Sequence, residues 1–163
     1  MQSSGLTGNP FAVLTAVVAP AILTNACSVL ALGTSNRIAR VVDRTRAISA
    51  ELATLEPTGM RFEARLEHIS RLRERANLLV RALRTFYIGM GCFAAAAMMT
   101  VLGSALAYFQ FENAFHFTVF LAFVVGIAGV TSLINGSALT VRETRMAFAL
   151  VHEEVEEVLK ERR

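Results

Sequence analysis

Three runs of this sequence carry no Asp, Glu, Lys or Arg: Pro10 to Gly33, Phe86 to Phe109, and Phe117 to about Thr140. As helices, each is long enough to cross the hydrocarbon core of a bilayer, which takes roughly 20 residues. Lipid offers no water to the backbone, so every N–H and C=O must be bonded within the segment, and helices do this by default. The many short alternating segments of a membrane β-barrel are missing. A soluble bundle is the rival. With 163 residues, of which 54% are hydrophobic and 18% charged, it would have too little interior for so much apolar surface. A cleaved signal peptide is the other rival for the first run, but Met1 to Asn9 has no basic residue to form a positive n-region. The sequence therefore predicts an all-α integral membrane protein with three transmembrane helices.

The basic residues give the orientation. Eleven arginines lie between Arg37 and Arg84, and the other five basic residues are Arg142, Arg145, Lys160, Arg162 and Arg163. The N-terminal tail and the short segment Gln110–His116 have none. The positive-inside bias then assigns 1–9 to an extracytoplasmic tail, 10–33 to the first span and 34–85 to a long cytoplasmic helical hairpin. It assigns 86–109 to the second span, 110–116 to an extracytoplasmic turn, 117–140 to the third span and 141–163 to a cytoplasmic amphipathic helix. Tyr108, Phe109, Phe111, Phe115 and Phe117 crowd the outer turn, and Phe86 and Tyr87 mark the inner end of the second span, as interfacial aromatic belts do. The net charge of +3 reflects the same bias. It is no nucleic-acid footprint, because the arginines alternate with acids on helices and flank the spans.

The 34–85 segment has helical periodicity. Ile38, Val41, Val42, Thr45, Ile48, Leu52 and Leu55 form one apolar seam at three- and four-residue steps. Pro57 and Gly59 then break the chain. Phe62, Leu66, Ile69, Leu72, Ala76, Leu79, Leu83 and Phe86 follow in a near-heptad pattern. This predicts an antiparallel helical hairpin extending the first two spans, each arm nearly 40 Å long for about 25 residues. In the C-terminal segment Phe148, Val151, Val155 and Val158 share a stripe, with Glu153, Glu154, Glu156, Glu157 and Lys160 opposite. Those acids could meet Arg71, Arg73 and Arg75 or simply face solvent.

Within the spans, small and mildly polar residues stand out, since packing in lipid relies on close approach and hydrogen bonds. Pro20 frees the carbonyl of Ala16 and predicts a kink, and Asn25 lies about a turn further on. Thr100 and Ser104 in the second span, and Thr131, Ser132 and Asn135 in the third, could line a narrow path in an oligomer or form helix–helix seams. Asn25 and Asn135 are the most informative, because an unpaired amide in hydrocarbon is expensive.

Catalytic patterns are missing from the sequence. His68, His116 and His152 show no metal-ligand spacing, and Cys27 and Cys92 stand alone in different spans. No phosphate-binding glycine loop or nucleophile elbow occurs. No carboxylate or histidine lies in the charge-free runs to support a proton relay. The expectation is a non-enzyme without cofactor or metal.

At the end of the first run stands TSNRIARVVDRTR, with Asn36, Arg37, Arg40, Asp43, Arg44 and Arg46. Upstream is APAILTNACSVLALG, with Pro20 and Cys27. Together these resemble a family of small bacterial membrane proteins described only as a domain of unknown function, over roughly residues 10–150. The resemblance implies a bacterial inner-membrane location and brings no activity. Physically, Arg37, Arg40 and Arg44 share one side of a helix, and Asp43 is within reach of Arg40 or Arg46. The string is then an orientation signal with surface ion pairs, or a charged ring or inter-subunit clasp. A looser likeness of layout is to the ExbB, TolQ and MotA stator proteins, which carry an acidic residue in a span where this chain has none.

Two functions follow. One is a homo-oligomeric, channel-like protein that passes ions, with arginines shaping its inner mouth. The other is a membrane-anchored helical scaffold without transport. The expected partners are the lipid bilayer and further copies of the chain, with ions as candidate permeants and no nucleic acid.

Overall fold

The structure, a computed structural model, describes residues 10–54 and 59–161, with side chains described over 17–54, 59 and 62–148. Three long helices account for nearly all of it: α1 (Pro10–Leu52), α2 (Met60–Tyr108) and α3 (Glu112–Glu161). Each is long and apolar enough to cross a membrane. The all-helical class and the three candidate spans are thus as the sequence predicts. The tail 1–9, Leu55, Pro57 and the side chains of Val151–Lys160 lie outside the described residues.

The helices run on without interruption from the charge-free runs into the charged segments. α1 continues through Pro20. The Thr24 hydroxyl donates to the Pro20 carbonyl at 2.8 Å, so Thr24 rather than Asn25 bonds the backbone near the proline. Between α2 and α3 the connection is shorter than the seven residues expected, since α3 already begins at Glu112. Gln110 takes a left-handed conformation with φ 60°. The Phe111 amide then reaches back to the Leu106 carbonyl at 3.1 Å and the Gln110 amide to Ala107 at 3.2 Å. This paired closure of a helix end usually uses glycine. With no glycine here, so tight a stop has no signal in the local sequence.

The chain forms two compact units. The first comprises Met1–Ala31 and Thr85–Asn135, the second Leu32–Arg84 and Gly136–Arg163. The second unit has an aliphatic centre of Val41, Ile48, Leu72 and Leu79, flanked by Ile38, Leu52, Ile69 and Ala76. Val41 and Ile48 are seven residues apart, as are Leu72 and Leu79, so each pair returns to the same helix face. Leu79 is fully buried, which at its size contributes about 2 kcal/mol. Val42 and Leu66, expected in the seam, are exposed instead. Arg65 on α2 pairs with Glu51 on α1 at 3.1 Å, consistent with antiparallel arms.

In the first unit the large side chains point the other way. Ile22, Val29, Met98, Leu102, Phe120, Phe123 and Ile134 are exposed, while Cys27, Phe86, Phe93 and Ala96 are buried. The most apolar window of α3 is only 6% buried. Close approach replaces bulk in the seam. A Cβ built on Gly89 would lie 3.3 Å from the Gly129 carbonyl oxygen and 3.5 Å from both Cys27 Sγ and Ser132 Cβ. All three helices therefore meet at Gly89, as small residues permit in membranes. A Cβ on Gly129 would come within 2.7 Å of the Phe93 ring.

Candidate functional site

The second unit buries a carboxylate. Glu143 on α3 is 2% exposed. Its position follows from helical spacing: Gly136, Thr140, Glu143 and Ala147 recur at three- and four-residue steps, and all four are buried or half-buried. Glu143 thus takes a place where an apolar residue would otherwise pack.

Two arginines compensate it. Arg75 on α2 donates to Oε1 from Nε at 3.1 Å and from Nη2 at 2.8 Å. Arg37 on α1 donates from Nη1 to Oε2 at 3.3 Å and to the Thr144 hydroxyl at 2.9 Å. The Thr144 hydroxyl in turn donates to the Thr140 carbonyl at 3.0 Å. Both carboxylate oxygens are therefore engaged, and α1, α2 and α3 are tied through one side chain. Burying a carboxylate is costly unless it is paired and hydrogen-bonded in this way.

Beside this clasp opens a cavity of about 400 Å³. Arg37, Arg40 and Arg44 line it from α1, Arg75 from α2, and Glu143 and Thr144 from α3. Val41, Leu72 and Ala147 form the apolar part of its wall. Among the described residues, four guanidinium groups thus face one carboxylate whose oxygens are already taken.

The residues singled out from sequence separate into groups. Arg37, Arg40 and Arg44 share the cavity. Asn36, Asp43 and Arg46 are exposed and outside it. Asp43 makes no ion pair with Arg40 or Arg46 among the described residues, although its spacing allowed one. Arg71 bonds Glu67 one turn back at 2.8 Å. In the first unit Ser132 stands in the seam at Gly89. The Thr100 and Ser104 hydroxyls bond carbonyls of their own helix at 2.9 Å, and Thr131 does the same. Asn25 and Asn135 are exposed. Among the described residues no side-chain-to-side-chain hydrogen bond joins these polar groups to one another.

Glu143 was missed from sequence, and a signal for it exists. It is the only acidic residue between Glu112 and Glu153, and it continues the small-residue stripe through Gly129, Ser132 and Gly136. The expectation that Arg75 meets an acid of the C-terminal segment pointed to Glu153–Glu157, whose side chains lie outside the described residues.

A family model described as "protein of unknown function (DUF2721)" matches residues 17–153. The chain belongs to that family. The match takes in α1 from Val17, all of α2 and α3 as far as Glu153, so the clasp and the cavity lie inside the DUF2721 region. It agrees with the resemblance to a family described only as a domain of unknown function. No curated protein and no solved structure matches the chain.

Proposed function

We propose that this DUF2721 protein is a three-pass protein of the bacterial inner membrane, with its N-terminus outside and its C-terminus in the cytoplasm, and that it works as a homo-oligomer of channel-like type. The observation that carries the reading is the outward placement of amides on the first unit. Asn25 and Asn135 are exposed among large apolar side chains, and neither makes a hydrogen bond among the described residues. An amide left unpaired in hydrocarbon costs about 2–7 kcal/mol. A second copy offering its own polar side chains removes that cost, and interhelical hydrogen bonds of this kind guide association in lipid. The orientation is supported by the arginines, all of which lie in 34–85 or beyond 140.

The test is the particle in lipid. Purified protein in nanodiscs is expected to form a symmetric oligomer that conducts ions in planar bilayers. Asn25→Leu and Asn135→Leu should weaken assembly, and Thr131→Val should alter conductance. A monomer in nanodiscs defeats the reading. Reporter fusions at residue 60 are expected to report a cytoplasmic position.

A scaffold without transport is the second reading. It is favoured by the Thr100 and Ser104 hydroxyls, which are spent on their own helix rather than offered to a path. An oligomer that conducts nothing decides for it.

A further inference from the structure

We infer that the arginine-lined cavity of the second unit is a binding site for a phosphate group, either of free phosphate or of an anionic lipid headgroup. Arg37, Arg40 and Arg44 stand at i, i+3 and i+7 on α1, a row about 10 Å long on one helix face. Arg75 faces the same space from α2. Neither Arg40 nor Arg44 makes an ion pair among the described residues, so both forks are free for a ligand. Among the described residues the wall holds one carboxylate, Glu143, and it cannot neutralise them, because Arg37 and Arg75 already occupy its two oxygens. The excess of positive charge faces a concave space of about 400 Å³, within the size range of small-ligand sites.

Guanidinium matches phosphate in shape. Its planar fork gives two parallel N–H···O bonds to one phosphoryl group, stronger than neutral hydrogen bonds. Arg37 is 41% exposed and holds Glu143 at 3.3 Å, the longest contact of the clasp, so it can share its guanidinium with a ligand. Arg75, 21% exposed and bonded through two nitrogens, stays as the fixed wall. A basic pocket close in sequence to a membrane span is also a known form of headgroup recognition. Val41 and Leu72 on the wall suit the first carbons of a glycerol phosphate. The inference does not depend on subunit number or on transport.

The experiment uses the full chain in an uncharged detergent at low ionic strength, where screening is small. Inorganic phosphate is titrated by calorimetry. Phosphatidylglycerol and, as control, phosphatidylcholine are added and bound lipid is counted by native mass spectrometry. The variants are Arg40→Ala, Arg44→Ala and the pair together. Arg46→Ala removes the same charge from the same helix outside the cavity. Arg40, Arg44 and Arg46 are all exposed, and circular dichroism checks that each variant keeps its helix content. Binding of phosphate or of phosphatidylglycerol should fall about tenfold for each cavity arginine removed and stay within about twofold in Arg46→Ala. Inorganic phosphate binding marks a free anion as the ligand. Selective phosphatidylglycerol binding without it marks a lipid headgroup. Absence of both, or an equal loss in Arg46→Ala, overturns the inference.

Discussion

The same three helices build two units, and the side chains that hold each unit together differ in kind. In the second, large aliphatic residues turn inward: Val41, Ile48, Leu72 and Leu79 pack together, and a buried carboxylate binds arginines on two other helices. In the first, large residues turn outward and the helices meet where a side chain is missing, at Gly89 and Gly129. Under the membrane placement proposed above, the two units would lie in two solvents. In water, burial of apolar area drives association. In lipid that drive is absent between helices, and contact at short range must replace it. The 2.7 Å approach of Phe93 to the place a Gly129 Cβ would fill is such a contact.

Substitutions in each unit test the contrast, the heaviest first. Arg75→Ala removes two of the bonds to Glu143 and leaves a buried carboxylate on one long contact to Arg37. A loss of about 3–5 kcal/mol is expected in denaturant unfolding of the detergent-solubilised protein. Arg37→Ala should cost less, because its guanidinium is already partly in water. If the two cost the same, the clasp is not organised around Arg75.

Leu79→Ala opens a hole in the aliphatic centre of the second unit and should cost about 3 kcal/mol in the same assay. A cost below 1 kcal/mol, on the scale of a surface change, would show that this centre does not carry the unit.

Gly129→Ala tests the opposite rule in the first unit. Adding one methyl group should destabilise by about 2 kcal/mol, since the Phe93 ring must move. Phe93→Leu in the same chain should recover part of the loss, and the non-additivity measures the contact. A stabilising Gly129→Ala would mean that the close seam is not what holds this unit.

The smallest effect is expected at Glu51→Gln. Its ion pair with Arg65 joins side chains 55% and 43% exposed, so removal should cost less than about 1 kcal/mol and vanish in high salt. A larger, salt-resistant cost would place this pair on a level with Glu143 and blur the distinction between buried and surface charge in the second unit.

Much of the helical order was legible. The runs free of charge, the seven-residue spacing of Leu72 and Leu79, and the break near Gly59 each follow from a local rule of periodicity or backbone preference. Val42 and Leu66 belong to the seam by sequence, because they are apolar and near the right phase. Helix geometry turns them outward, and only packing reveals which residue of two neighbours faces in. Of the cavity, the sequence offered Arg37, Arg40 and Arg44, because they share one helix face. It could not offer Arg75 and Glu143 as their companions, which stand 38 and 106 residues from Arg37 along the chain.

Amino-acid order alone determined that this chain is three long apolar helices with arginine confined to particular segments, because helix length, periodicity and charge distribution are properties of neighbours in sequence. Tertiary structure decided which glycines are contact points, which amides face outward, and that Glu143 draws in Arg37 and Arg75 while Arg40 and Arg44 make no ion pair among the described residues. A charge finds its partner through space, and distance in space between separate helices is not written in local sequence.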